Sequence, residues 1–149
     1  MRAFVTGHRG YIGSHLVDVL KQDGASVVGC DLGLFDGCEW EPVVKPDVEI
    51  RKDTRKIELA DLDGCDCVMH LAALSNDPMG ALNGELTLDV NRDASVRLAR
   101  LAKEAGVPRF LFAGSCSVYG KGARLDLDES DPMNPLTAYA RSVALSIPG

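Results

Sequence analysis

The sequence predicts an α/β fold in which a doubly wound parallel sheet carries helices on both faces. Short apolar runs of strand length alternate along the chain with longer segments of helical periodicity. A glycine-rich loop joins the first apolar run to the first of these helices. Five strands are predicted, at Arg2–Thr6, Ser26–Asp31, Val48–Arg51, Cys67–Leu71 and Arg109–Ala113.

The second, fourth and fifth predicted strands are almost continuously apolar. This composition is typical of strands that are buried on both faces of a parallel sheet. Between the strands, helices are predicted at Tyr11–Asp23 and Glu85–Ala105, and a third is predicted to begin after Pro135 and to include Tyr139. Gly24 and Gly106 stand where helix C-terminal caps belong.

Apolar residues recur at helical spacing in the first two predicted helices, and these positions are expected to face the sheet. In the first helix they are Ile12, Leu16, Val19 and Leu20. In the second they are Leu86, Val90, Ala94, Leu98 and Leu101.

Length and composition limit the classes of function. The 149 residues suit one domain, spanning 1–149, and 46% of them are hydrophobic. A net charge of −6 argues against binding to nucleic acid or to an anionic membrane surface. Because no apolar run is long enough to span a membrane and no secretory leader opens the chain, we expect a cytoplasmic protein.

The five cysteines do not form a recognisable disulfide or metal framework. Cys65 and Cys67 make a C-x-C pair, but no second pair of cysteines or histidines stands at a zinc-ligand spacing. We therefore predict reduced thiols that pack as small apolar residues, and no metal site.

The loop Thr6–Gly13 has the features of a dinucleotide-binding turn. Gly7 permits a tight turn, Gly10 lets the backbone approach a pyrophosphate, and Gly13 lets the helix pack closely on the strand. The N-terminus of the following helix presents free N–H groups to the phosphates. This strand–loop–helix context predicts a Rossmann-type fold. The longest irregular stretch, residues 32–47, is predicted to be a loop on the cofactor side.

Asp31 ends the second predicted strand and bears on the choice of cofactor. A carboxylate there accepts hydrogen bonds from the adenosine ribose and repels a 2′-phosphate, which favours NAD over NADP. Arg9 argues the other way, because a guanidinium in this loop can pair with a 2′-phosphate.

These motifs resemble the extended short-chain dehydrogenase/reductases, the family of nucleotide-sugar epimerases and dehydratases such as UDP-galactose 4-epimerase. The resemblance begins with Thr-Gly-x-x-Gly-x-x-Gly at Thr6–Gly13 and continues in order along the chain. The later matching segments are Asp53-Thr54, His70-Leu71-Ala72-Ala73, Asn91, Ser115-Cys116-Ser117-Val118-Tyr119-Gly120 and Pro135-Leu136-Thr137-Ala138-Tyr139.

The resemblance implies NAD as the cofactor, a nucleotide sugar as the substrate, and a set of site residues. Ser115 and Tyr139 match the catalytic positions, where the family's tyrosine removes a hydroxyl proton while hydride passes to the nicotinamide. The implied cofactor-binding residues are Gly7, Arg9, Gly10, Tyr11, Ile12, Gly13, Asp31, Leu32, Asp53, Thr54, Leu71, Ala72, Ala73 and Asn91. The segment Leu71–Thr87 looks most like members associated with surface-polysaccharide synthesis.

The match breaks at the family's Tyr-x-x-x-Lys motif. The lysine position is occupied by Val143, which carries no charge and cannot lower the pKa of the tyrosine. Arg141 is expected on a different face of the helix. The sequence ends at Gly149, where family members continue into a substrate-binding lobe, so the expected fold lacks that C-terminal lobe.

Three hypotheses about activity stay open at this point. The chain is a truncated member that binds NAD and turns over little, or an enzyme whose missing parts come from a partner chain, or a non-catalytic NAD-binding or assembly module. Family members dimerise through the two helices that correspond to Glu85–Ala105 and to the Tyr139 helix. We therefore expect a homo-oligomer. Cys116 is expected to be a buried spectator beside Ser115.

Overall fold

A five-stranded parallel sheet organises residues 2–112 of the chain. The computed structural model describes residues 1–38, 41–75, 77–122 and 126–146. Within these ranges the strands are β1 (Arg2–Thr6), β2 (Ser26–Asp31), β3 (Val48–Arg51), β4 (Cys67–His70) and β5 (Arg109–Phe112). They are ordered β3-β2-β1-β4-β5, and every neighbouring pair is parallel. This arrangement confirms the predicted fold class.

The helices of the described ranges are α1 (Tyr11–Gln22), α2 (Asp77–Leu82), α3 (Gly84–Leu88), α4 (Ala94–Glu104) and α5 (Ala138–Ala144). A π-helical turn, Asp89–Asp93, joins α3 to α4. Short 3₁₀ turns lie at Thr54–Lys56, Leu59–Leu62 and Cys116–Tyr119. Gly24 and Gly106 have φ values of 74° and 71°, which fits the predicted helix caps.

The contacts divide the chain into two compact units. The first contains Met1–Ala72 and Arg97–Ala113, and the second contains Ala73–Val96 and Gly114–Gly149. The assignment of all 149 residues to one domain stays a prediction.

Two apolar clusters lie against the sheet of the first unit. Successive side chains of a strand point to opposite faces, so Phe4 belongs to one cluster while Ala3 and Val5 belong to the other. The Phe4 cluster includes Leu98 and Ala102 of α4. The second cluster includes residues of α1. The sheet is therefore covered on both faces, as predicted.

The buried face of α1 differs from the predicted one. Its buried residues are Gly13, Val17 and Leu20, whereas Ile12 and Val19 are 68% and 54% exposed. The reason is the close approach of Gly13 to the preceding loop, which turns positions 13, 17 and 20 toward the sheet. The predicted face was therefore rotated, and only Leu16 and Leu20 were placed correctly.

The prediction that the fifth strand is buried on both faces is wrong. Leu111 is 49% exposed, and Phe110 and Phe112 are only half-buried. The reason is topological, because β5 lies at the edge of the sheet in the described part of the chain. β2 and β4 do have the expected buried pattern.

The predicted helix Glu85–Ala105 is not continuous α-helix. In the π turn between α3 and α4, the N–H of Ala94 donates to the carbonyl of Asp89, five residues earlier. The side chain of Ser95 also donates to the carbonyl of Asn91. π turns of this kind are frequent at functional sites. Leu86, expected on the buried face, is 41% exposed.

Several sequence predictions fall partly outside the described residues. In the predicted loop 32–47, the described positions form no helix or strand, and Glu39 and Trp40 lie outside. Asn76 of the polysaccharide-associated segment and the last three residues also lie outside. Over the described ranges, no helix is long and apolar enough to cross a membrane.

Candidate functional site

The glycines of the Thr6–Gly13 loop are required by close backbone contacts. Gly7 has a φ of 72°, and a Cβ atom there would lie 2.8 Å from the backbone nitrogen of Ala72. A Cβ at Gly13 would overlap the carbonyl oxygen of Gly7. At Gly10 the nearest atom to such a Cβ, the Gly7 carbonyl oxygen, is 3.3 Å away. Gly10 therefore has more room within the protein than the other two glycines.

The N-terminus of α1 is suited to an anionic ligand. Its N-cap residue is Gly10, which offers no side-chain cap, and no acidic residue lies in its first turn. The first N–H groups of a helix have no intrahelical partner, and they carry the positive end of the helix dipole. Tyr11 and Ile12 are 82% and 68% exposed there. A pyrophosphate fits this arrangement.

A buried hydrogen-bond network fixes the loop against the end of β4. The hydroxyl of Thr6 lies 2.6 Å from Nδ1 of His70 and accepts hydrogen bonds from the backbone N–H groups of Leu71 and Ala72, both at 3.2 Å. Since both lone pairs of the hydroxyl are used, its proton is donated to Nδ1, and the neutral imidazole carries its own proton on Nε2. Burial lowers the pKa of His70 to about 4, which keeps the ring neutral.

Asp31, the last residue of β2, is hydrogen-bonded to the backbone of the glycine loop and of the segment that follows β2. Its Oδ2 accepts from the backbone N–H of Arg9 at 3.1 Å, and its Oδ1 accepts from the N–H of Gly33 at 2.8 Å. Each carboxylate oxygen keeps a second lone pair for a ligand hydroxyl. Asp31 also lines a surface pocket together with Arg9, Glu49 and Arg51.

The side chain of Arg9 is engaged by carboxylates of the protein. Its Nε donates to Oε1 of Glu49 at 2.6 Å, and its Nη1 donates to Oδ1 of Asp36. These partners raise the pKa of Arg9, chiefly through the Glu49 hydrogen bond. The sequence suggested that Arg9 could pair with a 2′-phosphate, but the guanidinium is already paired within the protein.

Glu49, Asp36, His8 and Gly29 were not identified from the sequence. Nε2 of the buried His8 lies 2.8 Å from Oε1 of Glu49. A Cβ at Gly29 would lie 2.6 Å from Cγ of His8, so the ring fits only against a glycine. An isolated glycine inside a strand often marks such a close approach, and this signal could have identified the His8–Gly29 contact. Nothing in the local sequence indicated Glu49, because its partners are distant in the chain.

The remaining cofactor positions of the first unit lie after β2 and β3. Leu32 is 43% exposed, and its carbonyl accepts from Nε of Arg51 at 3.1 Å. Asp53 accepts from the backbone N–H of Arg55 at 2.9 Å and from its guanidinium. The Arg55 hydrogen bond lowers the pKa of Asp53. Thr54 is buried. An ionised Asp53 can still accept a hydrogen bond from an amino group.

In the second unit, Ser115 caps a 3₁₀ turn. Its hydroxyl oxygen accepts from the backbone N–H of Ser117 at 3.2 Å, at the start of the turn Cys116–Tyr119. This turn packs against α5, the helix that carries Tyr139. The structure therefore brings together the two elements that bear the predicted catalytic residues. Cys116 is exposed rather than buried, so the expectation of a buried spectator is wrong; in the same turn Val118 is the buried residue.

Tyr139 lies in the first turn of α5, and the start of this helix is fixed by side-chain hydrogen bonds. The hydroxyl oxygen of Thr137, the N-cap, accepts from the N–H of Ala140 at 3.0 Å. The same hydroxyl donates to Oδ1 of Asp77 at 2.6 Å. Tyr139 itself is half-buried.

Asn91 connects the segment after Ala73 to α5. Its Oδ1 accepts from the N–H of Leu74 at 2.8 Å, and its Nδ2 donates to the carbonyl of Leu74 at 3.1 Å. Nδ2 also donates to Oγ of Ser142 at 3.0 Å, and Ser142 donates to the carbonyl of Tyr139 at 2.7 Å. Asn91 is 3% exposed. Its side chain therefore positions the tyrosine helix. Ala73, the last of the predicted cofactor positions, is exposed.

Val143 is a buried core residue of the second unit. It is 3% exposed, in the same helix as Tyr139. Arg141 is exposed, and its Nη2 lies 3.3 Å from the carbonyl of Leu136. As expected, Arg141 does not share the face of Val143. Among the described residues, no group of three or more His, Cys, Asp or Glu side chains could hold a metal ion.

Comparison with protein families gives a match over residues 3–147 to the NAD dependent epimerase/dehydratase family. The chain belongs to this family. It is 32% identical over 147 residues to a UDP-glucose 4-epimerase of Lactobacillus helveticus, covering 95% of this chain and 44% of that protein. The chain thus spans about half the length of the curated relatives it matches.

Two solved structures resemble the fold closely. One is an NAD-dependent NDP-hexosamine 5,6-dehydratase involved in tunicamycin biosynthesis, with a TM-score of 0.87, 29% identity and coverage of 97% of this chain and 47% of that one. The other is MoeE5 in complex with UDP-glucose and NAD, with a TM-score of 0.85, 34% identity and coverage of 98% and 46%. The predicted cofactor, NAD, is the one named for the family and for both structures.

Proposed function

We propose that this chain binds NAD on the Thr6–Gly13 loop and provides the cofactor-binding half of a nucleotide-sugar epimerase or dehydratase. One observation carries the proposal. The uncapped N-terminus of α1 follows a loop in which Gly7 and Gly13 are enforced by contact, while Gly10 leaves space for a pyrophosphate. The family match supports the same cofactor.

Two features of the first unit favour NAD over NADP. The carboxylate of Asp31 is fastened to the N–H groups of Arg9 and Gly33, so that it stays at the position where an adenosine ribose is bound in this fold. The guanidinium of Arg9 is already paired with Glu49 and Asp36. A 2′-phosphate would therefore meet the Asp31 carboxylate, while the guanidinium of Arg9 is already paired.

The chemistry proposed for the complete site is hydride transfer between the sugar and NAD. Tyr139 would handle the proton of the reacting hydroxyl, and Ser115 would hydrogen-bond to the same oxygen. A phenol has a pKa near 10, so it needs a neighbouring cation to act as a base at neutral pH. Val143 supplies no charge. We therefore propose that these 149 residues alone turn over substrate weakly, since losing an activated base typically costs about 10²–10⁴-fold in rate.

A non-catalytic NAD-binding or assembly module is the second candidate function. The burial of Val143 favours this candidate, because a buried valine contributes to core packing and does not contribute to catalysis. A working enzyme completed by a partner chain is the third. A homo-oligomer and a role in polysaccharide biosynthesis are further parts of the proposal, taken from the family resemblance, and a cytoplasmic location is proposed from the sequence.

Two measurements test the proposal. Isothermal titration calorimetry with NAD and NADP should show NAD binding, and no binding of either at millimolar concentration would refute it. Incubation with UDP-glucose or UDP-galactose and NAD should give at most slow epimerisation. Val143→Lys alone should not restore turnover, because these residues also span only about half the length of the related epimerase, whereas a large gain would make the missing lysine the main deficit. Rapid turnover by the unmodified chain, abolished by Tyr139→Phe, would instead identify a complete enzyme.

A further inference from the structure

A network of charged side chains surrounds Arg9 beside the glycine loop. Besides its bonds to Glu49 and Asp36, the network includes Arg51, whose Nη1 lies 3.2 Å from Oδ2 of Asp36. With Asp31, three carboxylates stand against two guanidinium groups. The Arg9 side chain is only 30% exposed, so its donors face the protein more than solvent.

Glu49 is the central member of this network, and it is held from two sides. Its Oε1 accepts from Nε of Arg9 and from Nε2 of His8, at 2.6 and 2.8 Å. The His8 ring is 4% exposed and packs against the bare backbone of Gly29, so it cannot move away from Glu49 easily. The hydrogen bond from Arg9, and then that from His8, lowers the pKa of Glu49 to about 2. Glu49 is therefore ionised at neutral pH.

We propose that Glu49 determines cofactor specificity by pairing with Arg9, so that this guanidinium cannot bind the 2′-phosphate of NADP. A phosphate is bound best by a guanidinium whose forked N–H donors are free to form two parallel hydrogen bonds. Here Nε and Nη1 are both committed to carboxylates. The inference rests on the proposed function, since it assumes that the adenosine ribose lies at Asp31.

Because the Arg9 side chain begins close to Asp31, its pairing with Glu49 controls whether the guanidinium is available to a 2′-phosphate. Arg9 adjoins Gly10, and its own backbone N–H is bound to Asp31, so its side chain starts at the ribose position. Freed from Glu49, the guanidinium would need only a side-chain rotation to approach a 2′-phosphate. Removing Glu49 should therefore increase the affinity for NADP without a new residue being introduced.

The test measures the dissociation constants of the 149-residue chain for NAD and NADP by calorimetry. In Glu49→Ala, the ratio of the NADP constant to the NAD constant should fall at least about tenfold. Glu49→Gln should give a smaller fall, because its carbonyl oxygen still accepts from Arg9. Arg9→Ala alone should leave the ratio within about threefold of wild type, but in the Glu49→Ala background it should abolish the gain.

Two further variants extend the test. Asp36→Asn weakens the second partner of Arg9, in an exposed loop. It should also lower the ratio of the NADP to the NAD dissociation constant, and it can be measured even if the Glu49 variants fold poorly. Glu104→Gln makes the same change of charge at an exposed site on α4 and should leave the ratio unchanged.

The possible failures are distinct. If folded Glu49 and Asp36 variants still bind NAD with an unchanged ratio, or if Glu104→Gln lowers the ratio equally, the role of Glu49 is refuted. A large loss of NADP binding in Arg9→Ala alone also refutes it, since Arg9 would then be available already. If the wild-type chain binds no NAD, the proposed function itself fails, and this inference fails with it.

Discussion

Nδ1 of His70 accepts the only proton of the Thr6 hydroxyl, at 2.6 Å, because both lone pairs of that oxygen are occupied by backbone N–H groups. The last residues of β1 and β4 are thereby joined through one buried oxygen. Thr6 precedes Gly7, and a Cβ at Gly7 would lie 2.8 Å from the backbone nitrogen of Ala72. The same hydrogen bonds that stabilise the sheet therefore also fix the shape of the glycine loop.

Replacing Thr6 by Val should destabilise the protein. The change keeps the volume but removes the hydroxyl from Nδ1 of His70 and from the N–H of Ala72, whereas the N–H of Leu71 keeps its second acceptor, the carbonyl of Thr6, at 3.3 Å. Each unsatisfied group costs about 1–3 kcal/mol, so we expect a loss of at least about 2 kcal/mol in the free energy of unfolding. Urea denaturation measures it. Thr6→Ser keeps the hydroxyl and should cost clearly less, and equal losses for the two variants would show that the network contributes little.

The stability of the protein should decrease in mild acid because of His70. Its pKa is lowered by burial from 6.5 to about 4, so the unfolded state binds the proton first as the pH falls. The free energy of unfolding that depends on a neutral His70 is therefore fully present above about pH 6.5, and it is lost progressively as the pH falls toward about 4. Between pH 7 and pH 5 we expect a loss on the order of 2 kcal/mol, measured from urea midpoints.

The control for this pH dependence is a second histidine. His70→Gln should be less stable at pH 7 but should lose much of the pH dependence between pH 7 and pH 5. His15→Gln, at an exposed position on α1, should keep it. A pH dependence that survives in His70→Gln would assign it to other groups.

Gly10→Ala should separate cofactor binding from folding. A Cβ at Gly10 meets only the Gly7 carbonyl oxygen, at 3.3 Å, and its φ of −73° suits alanine. We therefore expect a change in unfolding free energy within about 1 kcal/mol. The added methyl group would occupy the space proposed for the pyrophosphate, so NAD affinity should fall at least about tenfold by calorimetry.

Gly114→Ala is the matched control, because no atom lies within 4 Å of a Cβ there. It should leave both stability and NAD affinity unchanged. If Gly10→Ala binds NAD as tightly as the wild type, the pyrophosphate does not lie at Gly10 and the proposed binding mode is wrong.

The parts of the fold that follow from local chemistry were predicted well from the sequence. β1, β2 and β3 have the predicted bounds, because apolar strand residues and the flanking glycines and acids are local signals. The strand–loop–helix arrangement of β1, the glycines and α1 was predicted for the same reason. The pairing of Glu49 with Arg9 and the contact of Asn91 with Ser142 were not predictable, because the partners are 40 and 51 residues apart in the sequence. Likewise, the exposure of Leu111 depends on which strand lies next to β5.

Asn91 and Ser142 should be energetically coupled in holding the tyrosine helix. Asn91→Ala removes two hydrogen bonds to Leu74 and one to Ser142 in a buried site, so we expect a loss of about 2–4 kcal/mol. Ser142→Ala should cost about 1–2 kcal/mol, since its own donor bond to Tyr139 is also lost. Because the two side chains share a hydrogen bond, the double variant should lose less stability than the sum of the two single losses, by at least about 0.5 kcal/mol.

Urea denaturation of the wild type, the two single variants and the double variant measures this coupling. The control pairs Asn91→Ala with Arg100→Ala, at an exposed position on α4, and these two changes should be additive. If Asn91 and Ser142 are equally additive, their 3.0 Å contact does not position α5, and the orientation of Tyr139 must depend on Thr137 and Asp77 instead.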